Sequence, residues 1–123
     1  MSEVGYDLRV RIRCGQTRVL GPGKVQLLRA IGQAGSISAA ARQLEMSYRR
    51  AWLLVEAMNR DFREPLVARH IGGAAGGGAN VTPFGHTVLE AYARLEADLR
   101  KQLDARAAAF APLLNPACAD RPA

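Results

Sequence analysis

Cysteine and histidine are scarce in this 123-residue sequence. Cys14 and Cys118 lie far apart, and neither they nor His70 and His86 have Cys, Asp or Glu at the spacing of a zinc site. The sequence also has no nucleophile–base pair and no paired carboxylates in an apolar setting. We therefore expect free thiols, no metal, no cofactor and no enzymatic activity.

Long apolar runs are also missing. No run approaches the roughly 18 residues that a membrane-spanning helix needs. The first residues, MSEVGYDLRVR, have no apolar segment typical of a signal peptide. The apolar share of 49% is enough for the core of one small domain. We expect a cytoplasmic protein with no membrane partner.

Acidic residues are outnumbered. Lys and Arg total 17 against 11 Asp and Glu, and the net charge is +6. A positive domain of this size favours polyanionic partners, because neutralised phosphates release condensed counterions. Charge alone does not identify a partner, so the placement of the cations decides.

The N-terminal segment alternates apolar and charged residues with a period of two. Leu8, Val10, Ile12 and Cys14 alternate with Asp7 and three arginines, which predicts a half-buried strand. Gly15-Gln16 provides a turn and TRVL a return strand. The arginine face is either solvated, which is the commoner case, or in contact with phosphates.

Three helices are predicted next. GPGKVQLLRAIGQAG has Pro22 at a first-turn position, and its apolar stripe is Val25, Leu28 and Ile31, with Leu27 beside it. Gly35 is typical of a left-handed residue that ends a helix. Ser38 is a candidate N-cap for a short AAARQL helix, and Ser47 is the candidate N-cap of a longer helix, YRRAWLLVEAMNRDF.

The pattern changes at Pro65. PLVARHI and NVT predict the two strands of a β-hairpin, and GGAAGGGA predicts a long, flexible tip between them. The glycines do not match a P-loop, because no Gly-Lys-Ser/Thr follows them and Thr82 leads into Pro83 instead.

A long helix closes the sequence. Thr82 is its candidate cap and Pro83 its first residue. An apolar seam recurs every three or four residues, and a helix of this length needs a second copy of itself to cover the seam. The residues of this dimerisation seam are Val88, Tyr92, Leu95, Leu99 and Leu103.

The order of these elements predicts a mainly α protein with small β elements, a winged helix-turn-helix. Residues 1–82 would form the DNA-binding domain with N-terminal strands, 83–111 the dimerisation helix and 112–123 a disordered tail. The alanines would let the short helix cross the longer one closely. The start of the longer helix could then enter the major groove of DNA.

A helical wheel supports this interpretation. Ala51, Val55, Met58 and Phe62 cluster on one side of the longer helix, away from the arginines. Trp52 either contacts thymine methyls and sugars or packs under the hairpin. The hairpin either reaches the minor groove or backbone or stays solvated. The candidate DNA contacts are Ser36, Ser38, Ser47, Tyr48, Arg49, Arg50, Trp52, Leu53, Arg69 and His70.

The segments GSISAAARQLEMSYRRAW and VTPFG resemble the N-terminal DNA-binding domain of molybdate-dependent regulators of the ModE type, which is similar to LysR-type domains. The resemblance covers about residues 8–99. It implies a homodimeric transcription regulator that binds an inverted repeat in double-stranded DNA. Glu45 departs from the family, which often has Gly in the turn, so either a strained left-handed Glu or a different turn is expected. The family's molybdate-binding domains would follow this sequence, so we expect no molybdate sensing by it.

Two other functions stay open. The fold could serve as a protein–protein interaction module, or the chain could act with a separate molybdate-binding protein. The arginines at the start of the longer helix favour DNA.

Overall fold

The computed structural model describes residues 3–71 and 77–122. The chain divides into two compact units, Arg9–Tyr92 on the one hand and Met1–Leu8 with Ala93–Ala123 on the other. The predicted flexible tip of the hairpin, residues 72–76, lies outside the described residues.

The first unit begins with a short β arm. Strands β1 (Ile12–Cys14) and β2 (Thr17–Leu20) pair antiparallel around Gly15-Gln16. Gly15 has φ +59°, a conformation that favours glycine, so the predicted turn is confirmed. The strand itself is shorter than predicted, because only its last three residues find a partner strand. Cys14 was predicted on the half-buried face and is exposed.

Three helices form the core of this unit: α1 (Pro22–Ala34), α2 (Ile37–Gln43) and α3 (Tyr48–Asp61). Pro22 starts α1, and Gly35 ends it with φ +79°, as predicted. The predicted apolar stripe is confirmed, since its residues are all buried: Val25, Leu27, Leu28 and Ile31.

Strands β3 (Val67–His70) and β4 (Gly78–Val81) form the wing. They pair antiparallel from Val67 opposite Val81 to His70 opposite Gly78. The backbone N–H of Ala79 donates to the Gly35 carbonyl at 2.8 Å, so β4 is joined to the end of α1. The architecture is therefore the predicted winged helix-turn-helix with a β arm.

Helix α4 (Pro83–Ala107) begins in the first unit. Thr82 caps it, because its Oγ1 accepts a hydrogen bond from the Gly85 N–H at 2.9 Å. The same hydroxyl donates to the Pro65 carbonyl at 2.7 Å. This residue therefore joins the start of α4 to the segment that precedes the wing.

The second unit contains the rest of α4. The Tyr6 hydroxyl donates to Oδ1 of Asp104 at 2.6 Å, and this hydrogen bond raises the pKa of Tyr6 above its ordinary value. Beyond α4 lie two 3-10 helices, Ala108–Leu113 and Pro116–Asp120. The predicted helix therefore ends four residues early, and defined 3-10 turns occupy a segment that was predicted to be disordered.

Candidate nucleic-acid interface

The start of α2 is fixed by a serine cap. Ser36 is extended, and its Oγ accepts a hydrogen bond from the Ala39 N–H at 3.0 Å. The sequence prediction placed this cap at Ser38, two residues too late. Ser38 instead lies exposed in the first turn, where its Oγ accepts from Nη1 of Arg42 at 3.3 Å. The error arose because Ile37 packs into the core and extends the helix backwards.

Small residues bring α2 against its neighbours. Ala40 and Ala41 of α2 and Ala51 of α3 are buried, with at most 2% of each exposed. Between the helices, Glu45 has φ +55° and turns the chain. A left-handed non-glycine residue costs about 1–2 kcal/mol. Of the two expected alternatives, a strained left-handed Glu45 or a different turn, the structure has the first. The helix-turn-helix therefore places α3 at a fixed angle to α2.

The N-terminal half of α3 carries two exposed arginines, Arg49 and Arg50. Ser47 caps the helix, because its Oγ accepts from the Arg50 N–H at 3.1 Å. The predicted inner face is confirmed for Ala51, Val55 and Met58, which have no exposed surface, while Phe62 lies just after the helix and packs partly buried against the core. Leu53, on the opposite side, is 47% exposed, and Tyr48, in the first turn at the edge of the inner face, is 54% exposed. A shallow pocket of about 330 Å³ is lined by Ser47, Arg49, Arg50, Leu53 and Leu54.

Asn59 joins α3 to the wing, and the sequence interpretation missed it. Its Oδ1 accepts from the N–H groups of Leu66 at 2.8 Å and Val67 at 3.1 Å, and its Nδ2 donates to the Val67 carbonyl at 3.0 Å. One side chain therefore satisfies three backbone groups at the start of β3. An Asn inside a helix disfavours the helix locally, which was the available signal.

Arg69 of the wing lies against α3. Its guanidinium carbon is 5.5 Å from the centroid of the Trp52 ring, and Nη2 is 3.3 Å from Oε1 of Glu56. Trp52 is half-buried and lies beside the wing strand through this contact, and its contact with DNA stays a prediction. Nε2 of His70 donates to Oδ1 of Asn80 on the facing strand.

A cleft of about 970 Å³, here called the wing cleft, opens between the wing and the starts of α2 and α3. It brings together five of the predicted contact residues, which are Ser36, Ser38, Tyr48, Arg69 and His70. The other five predicted residues lie outside it, and four of these line the shallow pocket at the start of α3, apart from Trp52.

Gly85 allows the start of α4 to approach the wing, and this contact was also missed. A Cβ atom at this position would lie 2.4 Å from the Leu66 carbonyl oxygen and 2.7 Å from Cγ1 of Val81. Such distances are too short for any side chain. The glycine of the TPFG segment therefore has a packing role that spacing along the sequence cannot show.

The predicted dimerisation seam needs one correction. Only 3% of Tyr92 is exposed, and its hydroxyl donates to the Val10 carbonyl at 2.7 Å, so its ring belongs to the core of its own unit. Val88 also packs against that core. In the second unit, Leu95 is 37% exposed, while Leu99 and Leu103 are half-buried.

The described residues hold no group of three or more His, Cys, Asp or Glu side chains that could bind a metal ion. Within the same ranges, every buried residue is apolar, so no charged or polar residue forms an enclosed site. No helix in the described part of the chain is long and apolar enough to cross a membrane.

The family model described as "Bacterial regulatory helix-turn-helix protein, lysR family" matches residues 23–86, more than half of the chain. The matched segment runs from the start of α1 to the start of α4. It therefore contains the helix-turn-helix, the wing and both concave surfaces.

Curated relatives are found among molybdenum-related proteins. The chain is 49% identical over 84 residues to the molybdenum-pterin-binding protein MopB of Rhodobacter capsulatus, covering 68% of this chain and 31% of that protein. It is 38% identical over 90 residues to the transcriptional regulator ModE of Haemophilus influenzae, covering 73% and 35%. The chain spans about a third of the length of these relatives. The predicted resemblance is confirmed.

A solved structure supports the same fold. The crystal structure of the complex between the CbnR DNA-binding domain and DNA matches with a TM-score of 0.53 and 28% sequence identity. The match covers 71% of this chain and 95% of that domain.

Proposed function

Because the chain belongs to the lysR family of bacterial regulatory helix-turn-helix proteins, we propose that it is a homodimeric transcription regulator that reads the major groove of DNA with the start of α3. The observation that carries the proposal is the exposed pair Arg49 and Arg50 on a capped helix whose other face is fully buried. The buried face anchors the helix backbone, so the two arginines project from a fixed position.

The chemistry of the exposed face fits base edges and phosphates. Arginine donates two parallel hydrogen bonds to guanine O6 and N7 or to a phosphate. Tyr48 and Leu53 supply apolar surface beside the arginines, suited to thymine methyls and sugars. One arginine therefore contacts bases while the other holds the backbone.

The wing and α2 supply the supporting contacts. Ser36 and Ser38 stand at the start of α2, at the edge of the wing cleft, where a phosphate oxygen can accept hydrogen bonds from hydroxyl groups. Arg69 and His70 lie on the wing strand across the same cleft. The phosphate backbone would pass through the wing cleft, and strands β3 and β4 of the wing would lie beside the adjacent minor groove.

Dimerisation is assigned to the second half of α4. Its seam is Leu95, Leu99 and Leu103. Tyr92 is left out because it is buried in its own unit, and Val88 because it packs against the same core. A symmetric dimer places two copies of α3 on an inverted repeat whose half-sites are about 34 Å apart, or a multiple of that distance.

Selection of bound duplexes from a random library tests the proposal. We expect an inverted repeat to be enriched and its affinity to fall at least about tenfold between 50 and 200 mM salt, because phosphate contacts release counterions. Polyglutamate is the control polyanion. Equal retention on polyglutamate and DNA, with no enriched sequence, would favour a protein-interaction module instead.

We propose that the described residues do not bind molybdate, although three relatives carry molybdenum in their names. An enclosed oxyanion site needs buried hydrogen-bond donors, and the described residues include no buried polar or charged residue. Titration calorimetry with sodium molybdate is expected to give no saturable heat. Saturable binding at micromolar concentration would contradict this assignment.

A further inference from the structure

Three side chains connect the wing to the outward part of α3. The guanidinium of Arg69 stacks over Trp52 and pairs with Glu56, as described above. Trp52 and Glu56 are four residues apart on α3, so they share one face of the helix. The carboxylate of Glu56 is therefore the counter-ion of a wing arginine that lines the wing cleft.

This pair is weak enough to open. The side chains of Arg69 and Glu56 are 45% and 39% exposed, and an ion pair this accessible to water shifts an equilibrium by less than about tenfold. A cation stacked on a half-buried indole adds an effect of similar size. A phosphate entering the wing cleft can therefore compete with Glu56 for the guanidinium.

We infer that Glu56 is a specificity-determining residue that holds Arg69 on Trp52 in the free protein and competes with DNA phosphates for it. Binding to DNA of arbitrary sequence depends almost wholly on phosphate contacts, so this competition weakens it most. Contacts from Arg49 and Arg50 to base edges do not involve Glu56. The inference rests on the proposed function and adds a residue that limits non-specific binding.

The contact of Arg69 with Trp52 and Glu56 in the free protein can be tested without DNA. Trp52 is the only tryptophan in the sequence, so intrinsic emission reports directly on this contact. We expect Arg69→Gln to change the intensity or the maximum of that emission, and Glu56→Gln to change it in the same direction by less. Unchanged emission in both variants would show that the contact is absent in solution and would overturn the inference.

The DNA experiment is a double-mutant cycle read by fluorescence anisotropy with a random-sequence duplex. Near 50 mM salt, Glu56→Gln is expected to raise affinity about three- to tenfold and to make the salt slope steeper by about one. In the Arg69→Gln background, the same change is expected to give no gain. Glu90→Gln is the matched control, because Glu90 is exposed on α4 and the charge change is the same.

The outcomes separate the inference from the proposed function. An equal gain in both backgrounds would mean that Glu56 only repels DNA through space, which overturns the inference alone. A parent protein that binds duplex while Glu56→Gln binds no better also overturns it alone. A parent protein that binds no duplex at all overturns the proposed function and this inference together.

Discussion

At the residue scale, Gly85 has the least room for a side chain among the described glycines. Gly85→Ala would place a Cβ 2.4 Å from the Leu66 carbonyl oxygen, which is backbone that cannot rotate away. We expect a loss of about 3 kcal/mol in the free energy of unfolding, in the upper range of overpacking costs. Urea denaturation measures it.

The matched control for this prediction is Gly23→Ala. Gly23 lies in the first turn of α1, and an added Cβ would meet nothing within 4 Å. The substitution is expected to be neutral or to stabilise by up to about 1 kcal/mol, because it reduces the freedom of the unfolded chain. Similar effects of the two substitutions would contradict the assigned packing role of Gly85.

Asn59 is the second residue with a specific role. Asn59→Ala removes the partners of two N–H groups and one carbonyl at the start of β3. We expect a loss of about 2–3 kcal/mol, because partly buried backbone groups are left unsatisfied. Thermal unfolding measures the loss, and Gln26→Ala on the exposed side of α1 serves as the control. An Asn59→Ala variant as stable as the control would refute the link between α3 and the wing.

At the element scale, local patterns predicted the helices well. The cap at Ser47 and the inner face of α3 follow from neighbouring residues alone, because a helix satisfies its hydrogen bonds locally. The exposed arginines followed from the same wheel. This part of the candidate site could be predicted because every relevant contact spans at most a few turns.

The links between elements could not be predicted in this way. Asn59 bonds to Val67, Gly85 approaches Leu66 and Tyr92 bonds to Val10, across separations that no periodicity encodes. Tyr92 fits the seam by spacing, yet it is buried in its own unit. A repeat of apolar residues shows which face of a helix is covered, but it does not show which partner covers it.

The remaining seam of α4 gives an element-scale prediction. Leu95→Asp places a charge in the proposed interface. Because Leu95 is the most exposed of the three seam leucines, the substitution should lower the free energy of unfolding of the monomer only slightly. We expect sedimentation equilibrium to show a dimer for the parent and a monomer for the variant at micromolar concentration.

Ala97→Asp is the control for the seam. Ala97 is exposed on α4 and lies two residues from both Leu95 and Leu99, on the opposite side of the helix. This variant should remain dimeric. A monomeric parent, or a dimer in both variants, would contradict the assignment of the interface to these leucines.

At the scale of the whole molecule, the chain combines a net charge of +6 with one oriented helix. In the proposed function, the charge would draw the chain to DNA in a salt-dependent way, and the capped start of α3 would select the sequence. Dimerisation would double the contact and impose the spacing of the inverted repeat. Attraction to DNA, sequence selection and dimerisation are assigned to different residues, so a substitution can abolish one of them without the others.

The most direct test compares two arginines of α3 by fluorescence anisotropy on the duplex selected from the random library. Arg50 is exposed in the first turn of the helix, and Arg60 is 72% exposed near its end. We expect Arg50→Ala to weaken binding by at least about tenfold, the effect of losing a base or phosphate contact, while the dimer persists. Arg60→Ala should bind within about twofold of the parent. Equal affinities of the parent and Arg50→Ala would contradict the claim that the start of α3 reads DNA.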